Sequence, residues 1–333
     1  MAQRPELQDF ARALSDTRGL GQQDVLALLD GARYSPAVAR AVSPSPVKSV
    51  RSWNAYRSRF VEPRRIRAGR DFLRDHRAVL DEAARRYGVP AEILVAIIGV
   101  ETRYGKHTGS FRVLDALATL GLYYPDPNRP DRARMFREQL ADFVELALGG
   151  QLDPAVQGSY AGAIGLPQFM PGSIKRYAVD GDGDGRIDLM YSVPDAVMSM
   201  GHFLREHGWL PGLPVFAPVR LPADASALVD GGLTPHLEWK DLLAAGADAT
   251  TGDAAGANAK AASTAEADAA APSRDAAWQR APLGVIDLVD QPAGTVQYRT
   301  ATPNFFALTQ YNRSYFYAAA VADLAAAIAQ GAN

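Results

Sequence analysis

Apolar residues recur at helical spacing along most of the chain, and this pattern predicts a mainly helical protein. Two short amphipathic helices are expected within 6–31, and another over 53–60. The proline-containing segment 43–49 breaks the helical pattern between them. A longer helix is expected over 65–87, ending at Gly88, since glycine commonly follows the last helical turn.

The next helix has apolar residues on every side, which predicts a position in the interior of a domain. It should begin at Pro90, because proline is favoured at the first helical position, and end before Gly105. Glu101 is the carboxylate that ends its apolar run. Further helices are expected over 111–121, 131–148 and 194–207.

The character of the sequence changes after Trp209, where prolines and short apolar pieces predict strands or extended loops. Two strands are expected over 282–290 and 294–300. Residues 244–277 carry no large apolar side chain, so we expect a disordered insertion there. The expected regions are an N-terminal helical region at 1–70, a helical core at 71–210 with an acidic loop at 180–195 and a small β-containing region at 211–300. A C-terminal segment at 301–333 should end in an alanine-rich helix that returns to the core.

Composition narrows the classes of function. The 333 residues are 47% hydrophobic and 22% charged with a net charge of -2, which gives no indication of nucleic-acid binding. The absence of cysteine excludes disulfides, thiol catalysis and a cysteine lipid anchor. No stretch reaches the roughly 18 apolar residues of a membrane span. The first thirty residues lack a signal-peptide core, so we expect either a cytoplasmic protein or one whose leader has been removed.

Glu101 is the first candidate for chemistry. Burial of its helix and the negative end of the helix dipole both disfavour the ionised carboxylate. A carboxylic acid that keeps its proton near neutral pH suits general acid catalysis. The alternative is a structural ion pair with Arg103 or another arginine.

Two further stretches offer polar groups to a ligand. In 157–180, glycines permit close backbone approach, and Ser159, Tyr160 and Gln168 carry hydroxyl and amide groups; tight packing between helices is the alternative. In 302–325, aromatic rings and an amide suit carbohydrate, although this pattern alone is more typical of a core aromatic cluster. The members of that second group are Tyr311, Asn312, Tyr315 and Tyr317.

The segment DGDGDGRIDL, 180–189, has the spacing of a calcium-binding loop. Its alternating carboxylates would converge on one hard cation, and Gly185 at the sixth place allows the sharp turn. Tyr191 stands where a glutamate is usual, at the twelfth place. The predicted ligands of a structural Ca²⁺ are Asp180, Asp182, Asp184, Arg186, Asp188 and Asp195. A solvated acidic turn is the alternative.

Taken together, and in the order in which they occur along the chain, these stretches resemble the membrane-bound lytic murein transglycosylase B family of bacterial cell-wall enzymes. The resemblance rests on VETRYG (100–105), SYAGAIGLPQFMP (159–171), DGDGDGRIDL (180–189), EHGW (206–209) and NFFALTQYN (304–312). It implies a mainly α (α+β) fold, in which a lysozyme-like helical catalytic core carries a small β-containing region and an EF-hand-like calcium loop.

The resemblance also implies an activity, the non-hydrolytic cleavage of the β-1,4 bond between N-acetylmuramic acid and N-acetylglucosamine in peptidoglycan. Glu101 would be the single catalytic carboxylate, first acid and then base, and the product would carry a 1,6-anhydromuramoyl end. Ser159 and Gln168 would line the glycan site, while Tyr311 and Asn312 would contact the reacting sugar with help from Tyr317.

The same resemblance predicts the surroundings of the protein. Peptidoglycan glycan strands would be its partner, Ca²⁺ its cofactor with no organic cofactor, the periplasm its location and a monomer its default state. Lipid anchoring is not supported, since no cysteine is present.

Two other functions stay open at this point. A lysozyme-like hydrolase needs a second carboxylate near Glu101, and the adjacent motifs contain no obvious one. A non-catalytic glycan-binding scaffold would bind peptidoglycan without shortening its glycan chains.

Overall fold

A computed structural model of the chain describes residues 5–43, 50–250 and 276–331. Within these ranges helices predominate, as the apolar spacing predicts. The helices are α1 Pro5–Arg18, α2 Gln22–Asp30, α3 Pro36–Val42, α4 Trp53–Phe60, α5 Pro63–Asp75, α6 Arg77–Tyr87, α7 Ala91–Thr102, α8 Val113–Leu122, α9 Pro130–Leu148, α10 Pro171–Tyr177, α11 Val193–Glu206, α12 Trp239–Ala244, α13 Pro303–Tyr311 and α14 Tyr315–Ala329. The strands are β1 Phe111–Arg112, β2 Gln157–Gly158, β3 Val219–Arg220, β4 Asp248–Ala249, β5 Gly284–Asp290 and β6 Thr295–Ala301.

The strands form two-stranded antiparallel sheets, in which β1 pairs with β2, β3 with β4 and β5 with β6. The prediction of a mainly helical chain with a small β-containing region is therefore confirmed. None of the described helices is both long enough and apolar enough to cross a membrane.

The chain divides into two compact units, each built from segments that are distant in sequence. The first unit comprises Met1–Lys48 and Glu101–Phe203, and the second comprises Ser49–Val100 and Leu204–Asn333. The regional boundaries near 70, 210 and 300 that the sequence suggested stay a prediction.

The first unit is organised around the apolar helix α8, which packs along α9. Leu117 of α8 and Phe143 of α9 are fully buried. Asp142 and Glu145 of α9 accept hydrogen bonds from the Arg18 guanidinium at 2.7 and 3.0 Å, which connects α1 to the same core. These partly buried hydrogen bonds join ionised groups and are therefore stronger than hydrogen bonds between neutral groups.

The second unit is organised around α14, which packs against α4, α5, α13 and β5. Asp323 of this helix is buried and lies between two guanidinium groups. It accepts from Nε of Arg57 at 2.5 Å and from Arg299 at 2.6 Å. A buried carboxylate needs such partners because desolvating it unpaired is costly.

A separate small core closes the β-containing region of the second unit around buried Trp278, Leu283 and Leu242. The predicted disorder does not hold at the start of 244–277. There Ala247 is 2% exposed, and β4 pairs with β3. Residues 251–275 of that predicted insertion lie outside the described residues.

The prediction of one continuous helix over 65–87 is wrong. Helix α5 ends before His76 and α6 begins after it, because His76 has φ -117° and ψ 23°, outside the helical range. Leu73 and Leu80 are the buried residues on either side of the break, and seven residues correspond to about two helical turns. The apolar spacing therefore continues across the break and conceals it.

Candidate active site

Glu101 lies on the last turn of α7, which ends at Thr102. The helix that leads to it is buried, with Leu94–Ile98 wholly inaccessible, while Glu101 itself is half-buried. The backbone then turns sharply, with left-handed φ values of 51° at Arg103 and 59° at Tyr104. Because such values are unfavourable for residues with side chains, surrounding contacts must hold this turn in place.

The glycine-rich stretch predicted to line the site lies against this turn. The Thr102 hydroxyl donates to the carbonyl of Leu166 at 3.3 Å, and Nε2 of Gln168 donates to the carbonyl of Thr108 at 3.1 Å. A Cβ on Gly105 would lie 2.8 Å from Cδ2 of Leu166, so the backbone of Gly105 and the side chain of Leu166 are in direct contact. Two segments distant in sequence thus meet beside Glu101.

Ser159 and Gln168 already use part of their hydrogen-bonding capacity on the backbone. The Ser159 hydroxyl oxygen accepts from the N–H groups of Ala161 and Ala163 at 3.2 and 3.0 Å. Gln168 has a left-handed φ of 50°, and its Nε2 also donates to Gly165 at 2.9 Å. A ligand would therefore meet the hydroxyl hydrogen of Ser159 and the amide oxygen of Gln168.

The acidic loop brings three of the predicted metal ligands together. Carboxylate oxygens of Asp180, Asp182 and Asp184 all lie within 4.8 Å of one another. Asp180 accepts from the backbone N–H groups of Gly183 and Gly185 at 2.6 and 2.8 Å. These backbone bonds, Gly185 first, hold the pKa of Asp180 below its ordinary value. Converging ionised oxygens are the donor set that a hard cation such as Ca²⁺ prefers, so these residues fit the ion.

The remaining predicted ligands have other contacts. Asp195 is 1% exposed and accepts from the backbone N–H groups of Gly181 and Asp188 at 2.7 and 2.6 Å. Asp188 accepts from the N–H of Tyr191 at 3.0 Å. Arg186 is exposed, and its cationic side chain is not a metal ligand, which leaves its carbonyl oxygen. Asp195 therefore joins the two sides of the loop.

The end of the acidic loop contacts the same glycine-rich stretch. The backbone N–H of Leu166 donates to the carbonyl of Leu189 at 2.8 Å, while the carbonyl of Leu166 accepts from Thr102. All three residues are buried. Thr102 and Leu166 lie inside the motifs of the sequence analysis, but no role follows for them from sequence alone, because their contact spans 64 positions.

The first unit also contains a cavity of about 850 Å³ that the sequence did not predict. It adjoins the turn after Glu101, through Gly105 and Thr108, and the acidic loop, through Ile187 and Tyr191. Tyr191 is 84% exposed at this cavity. An aromatic ring so open to solvent is accessible to a ligand.

The predicted aromatic cluster belongs to the second unit. The rings of Tyr311 and Tyr317 are nearly parallel, at 15° with centroids 6.3 Å apart, and Tyr317 is only 2% exposed. Asn312 is exposed directly after α13. Tyr315 donates its hydroxyl to the carbonyl of Gly232, and burial raises the pKa of Tyr315 to about 12. Tyr311 and Asn312 are therefore the accessible members, with Tyr317 packed behind the surface.

The chain is similar in sequence to known lytic transglycosylases. The family model described as the transglycosylase SLT domain matches residues 2–326. The membrane-bound lytic murein transglycosylase B of Escherichia coli K12 is 35% identical over 341 residues, covering 98% of this chain and 84% of that protein.

Two solved structures share the fold over nearly the whole chain. The catenated lytic transglycosylase SltB1 of Pseudomonas aeruginosa is 35% identical with a TM-score of 0.82, covering 100% of this chain and 99% of that one. The lytic transglycosylase Slt35 of Escherichia coli, solved in complex with calcium, is 33% identical with a TM-score of 0.78, covering 98% and 94%. The resemblance inferred from the motifs is confirmed, and the chain belongs to the transglycosylase SLT domain family, alongside the lytic murein transglycosylases.

Proposed function

We propose that this protein cleaves the β-1,4 bond between N-acetylmuramic acid and N-acetylglucosamine in peptidoglycan without consuming water, and that Glu101 is its single catalytic carboxylate. The observation that carries the proposal is the position of Glu101, which is half-buried and directly precedes Thr102, whose hydroxyl bonds to the glycine-rich stretch. Membership of the lytic transglycosylase family supports the same activity.

In the proposed reaction, protonated Glu101 donates its proton to the glycosidic oxygen while the bond from that oxygen to the anomeric carbon breaks. The substrate's acetamido group stabilises the positive charge that develops on the sugar, a known exception to the two-carboxylate rule. The 6-hydroxyl of the same sugar then attacks the anomeric carbon and gives its proton to ionised Glu101. The acid is thereby regenerated, and no water enters the balance.

One carboxylate is sufficient because the nucleophile belongs to the substrate itself. An intramolecular hydroxyl has an effective concentration far above that of any bimolecular reactant, which favours ring closure over attack by water. We assign Ser159 and Gln168 to the glycan site, and Tyr311 and Asn312 to the reacting sugar. Tyr317 packs beside Tyr311 and would support it.

We also propose a structural Ca²⁺ in the acidic loop. Asp180, Asp182 and Asp184 would supply carboxylate oxygens, with Arg186 contributing its carbonyl. Asp188 and Asp195 complete the loop either as ligands or through their backbone bonds. The clustering of three carboxylates supports this site, as does the calcium complex of the related Slt35. When bound, the ion would neutralise the mutual repulsion of the loop carboxylates.

The substrate suggests where the protein works. Peptidoglycan lies outside the cytoplasmic membrane, so we propose a periplasmic location, with glycan strands as the partner and a monomer as the active state.

The test is mass spectrometry of soluble products from purified peptidoglycan, with wild type, Glu101→Gln and the control Glu92→Gln. Glu92 stands in the first turn of the same helix, so its substitution changes the same chemical group at a distance from the site. We expect anhydromuramoyl products from wild type and the control, and an approximately 1,000-fold loss of turnover in Glu101→Gln. Unchanged glycan affinity in that variant would show that binding is intact.

Other outcomes would overturn the proposal in different ways. Products that end in a free reducing sugar would mean that water is the acceptor and the enzyme is a hydrolase. Binding without any soluble product, in wild type as well, would indicate a glycan-binding scaffold. Undiminished turnover in Glu101→Gln would remove the assignment of the carboxylate.

A further inference from the structure

Thr102 is the residue that joins the end of α7 to the rest of the site. Its side chain is fully buried, and its hydroxyl bonds to two backbone groups. It accepts from the N–H of Gly105 at 3.1 Å and donates to the carbonyl of Leu166 at 3.3 Å. Its own carbonyl accepts from the N–H of His107 at 2.9 Å. One residue therefore contacts both the following turn and the glycine-rich stretch.

The turn that Thr102 holds is conformationally unfavourable. Arg103, Tyr104 and Gly105 have consecutive left-handed φ values of 51°, 59° and 82°. Residues with side chains keep such values only where the surrounding structure imposes them. Within this turn the Gly105 N–H bonds to the Thr102 hydroxyl, so removal of the hydroxyl leaves a partly buried donor without this acceptor.

The other end of the connection is equally constrained. The backbone carbonyl of Leu166 accepts a hydrogen bond from Thr102, and its N–H donates to the carbonyl of Leu189 at the end of the acidic loop. Gly165 has a φ of 74°, and a Cβ there would lie 2.2 Å from the Leu189 carbonyl oxygen. The carbonyl that receives the Thr102 hydroxyl therefore has little freedom to move.

We propose that the Thr102 hydroxyl is a positioning group that fixes the carboxyl of Glu101, its immediate neighbour, by fastening the last turn of α7 to the Leu166 carbonyl. The inference rests on the proposed acid and base role of Glu101. Proton transfer depends steeply on geometry, and a displacement of about 1 Å can cost about 100-fold in rate. A hydroxyl that sets this geometry affects turnover more than substrate affinity.

The test compares Thr102→Val, which removes the hydroxyl at nearly constant volume, with Thr102→Ser, which keeps it. Thr119→Val is the matched control, because Thr119 is also fully buried in the first unit and its hydroxyl also accepts a backbone N–H, that of Ser35 at 2.9 Å. We expect Thr102→Val to lower kcat about 10-fold to 100-fold with little change in KM, and Thr102→Ser to stay within about 3-fold of wild type. Thr119→Val should lower Tm without lowering kcat.

A second readout does not depend on turnover. The titration of the Glu101 carboxyl, followed by carbon NMR and assigned with Glu101→Gln, should change in Thr102→Val and remain in place in Thr102→Ser and Thr119→Val. If Thr102→Val does not fold, Thr102→Ala against Thr102→Ser makes the same comparison with a difference of one oxygen atom.

Each outcome decides the inference. Wild-type turnover and an unmoved titration in the variant without the hydroxyl, with only Tm lowered, would overturn it, because Thr102 would then be structural. If wild-type protein releases no soluble fragments, the proposed function fails, and the titration alone decides whether Thr102 positions Glu101.

Discussion

At the scale of single residues, the site depends on backbone approaches that leave no room for a side chain. Gly165 is one such case, because its φ of 74° is left-handed and a Cβ would overlap the carbonyl oxygen of Leu189. Both features require glycine, the first for conformational and the second for steric reasons. The close approach lets the neighbouring Leu166 N–H reach the same carbonyl.

Substituting Gly165 separates these two reasons when it is compared with Gly150. Gly150 has a similar φ of 73° but no atom within 4 Å of the added Cβ. We expect Gly150→Ala to lower the free energy of unfolding by about 1–2 kcal/mol, the cost of a left-handed alanine. Gly165→Ala should lose about 2 kcal/mol more, because the clash must be relieved by displacing the loop. Urea unfolding of both variants measures the difference, and equal losses would contradict the close approach.

At the scale of elements, the backbone of the acidic loop is held by hydrogen bonds that form a stable frame, while its carboxylates repel one another. Asp195 bonds to the backbone on both sides of the loop, and the Ser199 hydroxyl accepts from the N–H of Val179 at 2.9 Å. This frame brings three exposed or half-buried carboxylates within 4.8 Å, where like charges repel. A bound cation would therefore stabilise the loop without having to fold it.

Removal of calcium should lower the melting temperature of the protein. An ion present at about 100 times its Kd contributes about 2.7 kcal/mol, so we expect EGTA to lower the Tm of wild type by about 5 °C. Asp184→Asn should reduce this response. Asp153→Asn is the control, since Asp153 is another exposed turn carboxylate that accepts a backbone N–H. Differential scanning calorimetry with and without EGTA gives the answer, and a Tm of wild type that EGTA leaves unchanged would exclude a stabilising ion.

At the scale of the whole molecule, the sequence predicts elements well where the pattern is local and continuous. The alanine-rich helix α14 and the strands β5 and β6 are found at the predicted places, since each is recognisable within a short window. The break at His76 was missed because its flanking apolar residues keep helical spacing. Helix α3 is absent from the predicted elements, although Ser35 caps it and a proline follows, which is a helix-start signal in the sequence.

The residues of the candidate site also fall into two groups, those identifiable from local sequence and those that only the tertiary fold brings together. Glu101 and the acidic loop are identifiable from residue types and spacing, since both signals are contiguous in the sequence. The bond from Thr102 to Leu166 spans 64 positions and follows only from the tertiary fold. The burial of Tyr317 is likewise a consequence of packing, which residue type alone cannot reveal.

Both units should lose stability in acid. In the first unit, a hydrogen bond from Lys175 is the main cause that holds the pKa of Glu145 below its ordinary 4.5. In the second, the backbone N–H of Asn54 is the main cause that holds the pKa of Asp290 below 3.8. When the pKa is lower in the folded state, the unfolded chain binds more protons as pH falls. The stabilisation is therefore complete above the unfolded values and is lost as pH falls through the folded ones.

Urea unfolding at pH 7, 5, 4 and 3 tests this expectation. The free energy of unfolding should decline from below about pH 5 and continue to fall to pH 3. Glu145→Gln and Asp290→Asn should each be less stable than wild type at pH 7 and should lose less on acidification, because the group that takes up the proton is gone. Asp131→Asn, whose carboxylate is 91% exposed, should follow the wild-type curve. Stability that is constant or rises towards pH 3 would show that these carboxylates do not stabilise the folded state through their charge.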